Sequence, residues 1–414
     1  MRATSHVEGG ARDRAADGHA SGAPSISVIP LSTPDLSGNE ATYLQECITS
    51  GFVSSIGPFV SRFEAMNAAA TGSPEAVATA SGTAGLHLAL TVVGVRPNDL
   101  VMVPSFTFIA TANAIAHCGA IPWLVDISPE SWTLDSALMA REIAAQTRRE
   151  RGSLIHRDTG RRVAAILPVH VLGLAADMDA IGALANEYSL KVVADAACAI
   201  GATYKGRPIA QMGADLSVLS FNGNKTVTSG GGGAVVGTDK GLLDLARHLS
   251  TTARRGLEYD HDMIGFNYRM TNLQAAVGCA QMERLSAFLA AKRRIRMAYD
   301  HAFSGIPGLT SFPGHADPGN SFWLSGVVTS DAASAEMLRA KLTDAGIEAR
   351  PFWKPLHLQA PYRDAPRTVQ TVCGSLWRRV VMLPCSAHLS DAQQERVIAA
   401  VQDVCARHFA PAAR

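Results

Sequence analysis

The chain has 414 residues, 47% hydrophobic and 18% charged, enough apolar material for roughly two or three domains with a sizeable core. Its 37 Lys and Arg against 36 Asp and Glu leave a formal net charge of +1, which provides no electrostatic footprint for nucleic acid and no polybasic membrane patch. Seven scattered cysteines without a CxxC pair argue against a disulfide framework or a zinc knuckle and read as buried thiols in a reducing compartment, with no metal expected.

Residues 1–26 are rich in Ala, Gly, Arg, His and Asp and carry no hydrophobic period, so a disordered extension is expected there. That segment also lacks the apolar run of a secretory signal. The longest nearly apolar stretches, such as Ala164–Ala176, are too short to span a bilayer. A cytoplasmic protein without membrane contact is therefore expected, with order beginning near Ile26–Leu31.

Between Glu75 and Gly237, short apolar runs predict buried strands at Ala76–Ala80, Leu100–Pro104, Ile121–Val125, Val163–Val171, Lys191–Ala194, Leu216–Phe221 and Gly233–Val236. Helical periods separate several of them. After Asp177, a candidate N-cap, Met178, Ile181, Leu184, Ala185 and Tyr188 share one face. Strands alternating with helices predict an α/β fold, a mainly parallel mixed sheet covered on both faces. The basic stretch Arg148–Arg162 reads as an excursion within that domain. One long helix is predicted over Asn272–Lys292, leading into a smaller α+β C-terminal domain. There, Phe322–Thr329 and Val380–Leu383 are strand-like, and Ala335–Ala345 and Asp391–Arg407 are helical. The expected division is an extension over 1–26, a large domain over 27–285 and a small domain over 286–414.

Three segments carry chemistry. In Thr79–Gly85, a strand runs into a helix through Ser81-Gly82-Thr83. Free helix N–H groups, the close approach permitted by Gly82 and the Thr83 hydroxyl suit a phosphate. An ordinary capped strand-to-helix turn reads the same residues. Asp195 ends the strand Lys191–Ala194, at the edge where open α/β sheets hold ligands. It is either an N-cap or a salt-bridge partner for a cationic ring nitrogen. Lys225 follows the strand Leu216–Phe221 in a tight turn ahead of Gly230–Gly233. It is either a solvated turn lysine or a Schiff-base nucleophile. Together the three fit a pyridoxal-phosphate pocket: Lys225 carrying the aldehyde, Asp195 keeping the ring nitrogen protonated, and Gly82, Thr83 and Ser220 holding the phosphate. No GxGxxG follows a strand with a downstream acid, which removes a nucleotide-binding oxidoreductase.

The motifs SGTAGLHLAL, VPSFTFIATANAI, VDI at Val125–Ile127, ILPVHVLG, ADAACAIGATYKG, SFNGNKTVTSGGGG and GFNYRMTNLQAAVG carry a resemblance that runs from about Ile29 to Ala400. In them the chain resembles the DegT/DnrJ/EryC1/StrS family of sugar aminotransferases, of pyridoxal-phosphate fold type I (aspartate-aminotransferase-like). The resemblance implies Lys225 as the lysine joined to pyridoxal 5'-phosphate and Asp195 as the acid facing the pyridine nitrogen. It implies Gly82, Thr83 and Ser220 as phosphate ligands and Phe108 as the aromatic residue stacked on the ring. Asn267 matches an asparagine reaching the phosphate from a neighbouring subunit, so a homodimer with shared active sites is implied. Cys198 stands where many members place Gln or His beside the ring. Glutamate would be the amino donor, leaving 2-oxoglutarate and the pyridoxamine 5'-phosphate form.

The PDLSGNE, GFVSSIGPFVSRFE, HRDTGRR and ARPFWKPLHLQ segments are similar to the branch acting at C4 of UDP-linked 4-keto-6-deoxy-N-acetylhexosamines, as in bacillosamine and legionaminic acid pathways. Perosamine synthases, which use a GDP-linked 4-keto sugar, have similar motifs. Ser54, Ser55, Arg350, Trp353, Lys354 and His357 are the substrate-side candidates, each also readable as packing or solvated surface. Two rivals follow. Sugar 3-dehydratases have His in place of the lysine, which Lys225 opposes. A non-catalytic paralogue that binds sugar nucleotide would have no reason to keep Lys225, Asp195 and the phosphate residues together.

Overall fold

Seven short apolar runs assemble into one sheet in a computed structural model that describes residues 28–314 and 316–408. The extension expected over 1–26 lies outside the described residues. The strands are β1 (Ala76–Thr79), β2 (Leu100–Pro104), β3 (Ile121–Val125), β4 (Val163–Ile166), β5 (Lys191–Asp195), β6 (Leu216–Ser220) and β7 (Gly233–Val236). Their spatial order is β1-β7-β6-β5-β4-β2-β3. Strands β3, β2, β4, β5 and β6 pair parallel, while β7 is antiparallel to both β6 and β1.

Successive side chains in these strands feed opposite layers, as the two-residue period of a strand requires. Val77, Val101 and Val103 join one apolar cluster, and Ala76, Ala78 and Met102 the other. The helices supply the covers. They are α1 (Glu40–Ser50), α2 (Pro58–Thr71), α3 (Gly82–Val92), α4 (Ile109–His117), α5 (Ser136–Gln146), α6 (Met178–Tyr188), α7 (Lys240–Ser250) and α8 (Asn272–Met282). Leu86, Ile115 and Leu243 bring α3, α4 and α7 onto the first layer. Phe63, Ile143, Ile181 and Cys279 bring α2, α5, α6 and α8 onto the second. Both faces are dry, which is why the strands read as continuous apolar runs. Asp177 caps α6 by accepting from the Ala180 N–H.

Several boundaries depart from expectation. The run expected over Val163–Val171 ends as a strand at Ile166: Pro168 has no N–H to donate, and the chain turns through a 3-10 segment at Val171–Gly173. The basic excursion is a hairpin, Thr147–Glu150 against Ser153–His156, turned at Arg151 and Gly152 with φ of 49° and 78°. The single helix expected over Asn272–Lys292 is two, α8 and α9 (Leu285–Phe303). At the break Glu283 pairs with Arg62 at 2.6 Å and Arg284 with Asp35 at 2.8 Å, tying both residues to the N-terminal segments.

A second sheet contains β8 (Leu309–Ser311), β9 (Ser325–Thr329), β10 (Arg350–Pro351) and β11 (Val380–Leu383), ordered β8-β9-β11-β10 and antiparallel throughout. With α10 (Ala332–Asp344), α11 (Thr371–Leu376) and α12 (Asp391–His408) it encloses a third core containing Val327, Leu338, Val381 and Val397. Ile29 joins that core and exchanges backbone bonds with Gly346 and Glu348, both at 2.9 Å.

The acid of the VDI motif joins the two sheets. Asp126, buried just after β3, accepts from the N–H groups of Val372 at 2.7 Å and Cys373 at 3.0 Å, capping the start of α11. Removing its carboxylate strands two helix N–H groups away from water. Asp126→Ala should lower the free energy of unfolding by about 2 kcal/mol, read as a lower urea midpoint. An unchanged midpoint would contradict the capping role.

Candidate active site

The parallel strands end on one edge of the large sheet, and a cavity of about 330 Å³ opens there. Asp195, the last residue of β5, is 6% exposed. Its Oδ2 accepts from Thr111 Oγ1 at 2.7 Å and its Oδ1 from the Ala197 N–H at 3.0 Å. Thr111 in turn shares a bond with Thr107 at 2.8 Å, both residues coming from the β2–α4 connection and α4. Asp195 thus closes a turn two residues long and caps no helix. Burial pushes its carboxyl above the usual range, against the two donors and the nearby Lys225 charge.

Lys225 sits in the turn after β6, its N–H bonded to Asn222 O at 3.0 Å. Its Nζ lies 3.2 Å from Cys198 Sγ and 4.0 Å from the centre of the Trp323 ring. Burial pushes the Cys198 thiol up to about 11, so it stays protonated at neutral pH despite the lysine beside it.

The third wall is the start of α3. Ser81 caps it by accepting from the Ala84 N–H at 3.1 Å. First-turn N–H groups have no partner within a helix, and Gly82 and Thr83 line the cavity where theirs emerge. Gly82 has to be glycine: a Cβ there would sit 2.9 Å from the Ser220 Cβ, on the last residue of β6. Gly233 has to be glycine for a related reason, since its Cβ would meet the Gly82 backbone at 2.8 Å. The glycine-rich segments therefore let three backbones converge at one edge of the cavity.

An aromatic row also lines the cavity. Phe108, 55% exposed at the start of α4, lies 6.2 Å from Trp353, and Trp353 lies 6.0 Å from Trp323.

The structure brings Gly82, Thr83, Phe108, Asp195, Cys198, Ser220 and Lys225 to one cavity. Of the substrate-side candidates only Trp353 lines it. Asn267 is exposed and pairs with Thr251 outside the cavity. Ser54 and Ser55 precede α2, where Ser54 O accepts from the Asn272 N–H. Arg350 is exposed and paired with Glu348, and Lys354 is exposed. His357 packs beneath the end of β2, its Nδ1 2.8 Å from Ser105 Oγ, and burial lowers its pKa.

Sequence reasoning missed Thr111 and Trp323. Thr111 lies three residues after Phe108, one turn into a helix that begins at the sheet edge, and that spacing was the available signal. Trp323 was absorbed into the strand expected over Phe322–Thr329, which starts only at Ser325. Among the described residues, no group of three His, Cys, Asp or Glu is placed to hold a metal ion, and no helix is long and apolar enough to cross a membrane.

A profile of the DegT/DnrJ/EryC1/StrS aminotransferase family matches residues 34–402. GDP-perosamine synthase of Caulobacter vibrioides is 37% identical over 383 residues, covering 91% of this chain and 98% of the relative. Among solved structures, S. venezuelae DesV superimposes with a TM-score of 0.80 at 31% identity, over 92% of this chain and 99% of that one. A DegT DnrJ EryC1 StrS aminotransferase from Brucella abortus gives a TM-score of 0.80 at 29% identity, over 88% and 95%. With its fold, its cavity and these relatives agreeing, the chain belongs to the DegT/DnrJ/EryC1/StrS family of pyridoxal-phosphate-dependent sugar aminotransferases.

Proposed function

We propose that this chain moves the amino group of glutamate to C4 of a nucleotide-linked 4-keto-6-deoxy sugar, with Lys225 and Asp195 as its catalytic residues. The observation that carries this is the convergence of a buried acid, a lysine and an open helix N-terminus on one cavity. That donor set fits pyridoxal phosphate. The floor supplies an acid for a ring nitrogen, and Gly82, Thr83 and Ser220 line the cavity at the α3 terminus, where first-turn N–H groups suit a phosphate.

When bound, pyridoxal phosphate supplies an aldehyde and an electron-withdrawing ring. Asp195 would hold the proton at the pyridine nitrogen, and Thr111 and the Ala197 N–H fix its carboxyl group and favour its charged form against burial. Gly82, Thr83 and Ser220 bind the phosphate, with the positive end of α3 offsetting its charge. Phe108, which lines the cavity, would orient the ring. Lys225 Nζ takes a proton from the glutamate α-carbon and, in the return half, delivers one to C4 of the sugar. Cys198 contacts Nζ as a neutral thiol and adds no second charge there.

The active site is read as shared between two copies. Asn267, Ser54 and Ser55 do not line the cavity of their own chain. Ile56 follows Ser55 in the chain, and Leu257 and Ile264 precede Asn267; they are 67%, 89% and 91% exposed, apolar surface of the kind a partner covers. A second copy placed on this surface would bring Asn267 to the neighbouring phosphate. Arg350 and Lys354, both exposed, are assigned to the anionic nucleotide, and Trp353 to the sugar. His357 is assigned a supporting place beneath the cavity through Ser105. The break at α8–α9 supports a division of the chain near residue 285.

Two nucleotides are in contention. The GFVSSIGPFVSRFE and ARPFWKPLHLQ segments favour a UDP-linked N-acetylhexosamine. The GDP-perosamine synthases of Caulobacter vibrioides, Vibrio cholerae and Escherichia coli O157:H7, at 37%, 34% and 35% identity, favour a GDP-linked sugar. A panel of UDP- and GDP-linked 4-keto-6-deoxy sugars assayed with glutamate should yield 2-oxoglutarate with one nucleotide class. No turnover with any of them would reject the substrate proposal. Lys225→Ala should lose the visible absorption of the bound cofactor and all turnover, and retained activity would reject the assignment of Lys225.

Asp195 also makes a stability prediction. Its folded pKa lies above the ordinary value of 3.8. The burial penalty is therefore absent below that value and accumulates as pH rises towards the raised one. Cofactor-free Asp195→Asn should melt higher than wild type at neutral pH, with the gain vanishing near pH 4, while turnover falls by at least ~100-fold. A gain independent of pH would contradict the burial penalty.

A further inference from the structure

We propose that Trp323 is a positioning residue for Lys225: the face of its indole stabilises the charged state of Nζ, and its edge fixes the turn that carries the lysine. This rests on the reading that Lys225 joins pyridoxal phosphate.

The two contacts come from different parts of one side chain. Nζ stands 4.0 Å above the Trp323 ring centre, within the range where the negative face of an indole attracts a cation. At the same time Trp323 Nε1 donates to Asn224 O at 2.8 Å, the carbonyl directly before Lys225. Lys225 is also tied by its own N–H to Asn222 O. The turn is thus gripped from the inside by its backbone and from the outside by the indole.

The charge environment explains why a ring is useful here. Two titratable groups act on Nζ in this cavity, Asp195 and Cys198. Asp195 has its own task at the ring nitrogen. Cys198 is 3.2 Å away but is neutral at working pH. A lysine that alternately gains and loses a proton in a half-buried position needs a partner for its charged state that does not compete for the proton. An aromatic face meets that need, since it attracts the cation and has no proton of its own to exchange at that face.

Trp323 is also held with unusual care. It is 3% exposed. Its backbone N–H donates to Leu172 O at 2.9 Å, its carbonyl accepts from the buried Lys292 Nζ at 3.0 Å, and the Ser321 N–H donates to Gly173 O at 3.2 Å. On each side of this pairing a non-glycine residue adopts a left-handed backbone, Leu172 at φ 58° and Phe322 at φ 51°. Both are buried, and neither has a side chain that eases the conformation. Strain of this kind persists where the surroundings over-determine it and concentrates at functional sites. The strained loop leads straight back to the floor of the cavity: Val169 pairs with Asp195, and the His170 N–H donates to Asp195 O at 2.9 Å. One loop therefore sets the acid by its first residues and the aromatic cover of the lysine by its last.

The test uses the holoenzyme and separates face from edge. Trp323→Phe keeps an aromatic face and removes the indole N–H. Trp323→Leu removes both, and Trp323→Met does the same with a longer, more adaptable side chain should the Leu variant lose its cofactor. The readout is the pH midpoint of the visible absorption change of the resting holoenzyme, which reports protonation at Nζ. Trp323→Leu, or Trp323→Met in its place, should lower that midpoint by about half a pH unit or more, while Trp323→Phe stays near wild type. Both kinds of variant should bleach more slowly with glutamate, having lost the bond to Asn224. An unmoved midpoint in the non-aromatic variants, or an equal shift in Trp323→Phe, would overturn the proposal. A wild-type protein with no visible band in the presence of pyridoxal phosphate would overturn the Lys225 reading on which it rests.

Discussion

A carboxylate at the end of a central strand, almost closed off from water, is the constraint on which this site depends. Asp195 is unfavourable where it stands, and burial raises its pKa accordingly. It is tolerated because a threonine on α4 and a backbone N–H two residues on both donate to it. A buried anion so supported is poised to hold a proton on a ligand nitrogen. The remaining parts of the cavity are arranged around that requirement.

The sheet topology supplies the arrangement. Parallel strands β5 and β6 deliver Asp195 and the Ser220–Lys225 segment to the same edge. Antiparallel β7 lies between β6 and β1, and its Gly233 permits the start of α3 to approach Ser220. The connection after β2 brings Thr107, Phe108 and Thr111. The small sheet adds two indoles from outside, Trp323 ahead of β9 and Trp353 after β10. The near-neutral chain is consistent with this design. An anionic cofactor and an anionic sugar nucleotide are to be met by local donors, a helix terminus and a few exposed bases, and no basic field over the whole surface is needed.

Much of this was legible in the residues. Strands buried on both faces are short apolar runs, and all seven stood out. Asp195 stood out because it ends such a run, and Lys225 because it sits in a tight turn after one, ahead of four glycines. The break at Glu283–Arg284 did not, because the helical period continues across it and its cause lies far away, in pairs with Arg62 and Asp35. Thr111 reads as an ordinary helix residue until the acid it supports is in place. Trp323 reads as core until the strained pairing with the Leu172 loop turns its ring onto the lysine. The aspartate of the VDI motif, which the family resemblance drew attention to, serves the junction between the sheets and lies apart from the cavity. Long-range partners and backbone strain are properties of the folded chain, and no local pattern announces them.

Pyridoxal phosphate is proposed to join this chain at Lys225. Borohydride reduction of the holoprotein fixes the cofactor to whichever amine holds it, and digestion with mass spectrometry then locates that amine. The cofactor is predicted on the peptide containing Lys225, in wild type and in Asp195→Asn alike. Its recovery on another lysine, or on none, would contradict the account.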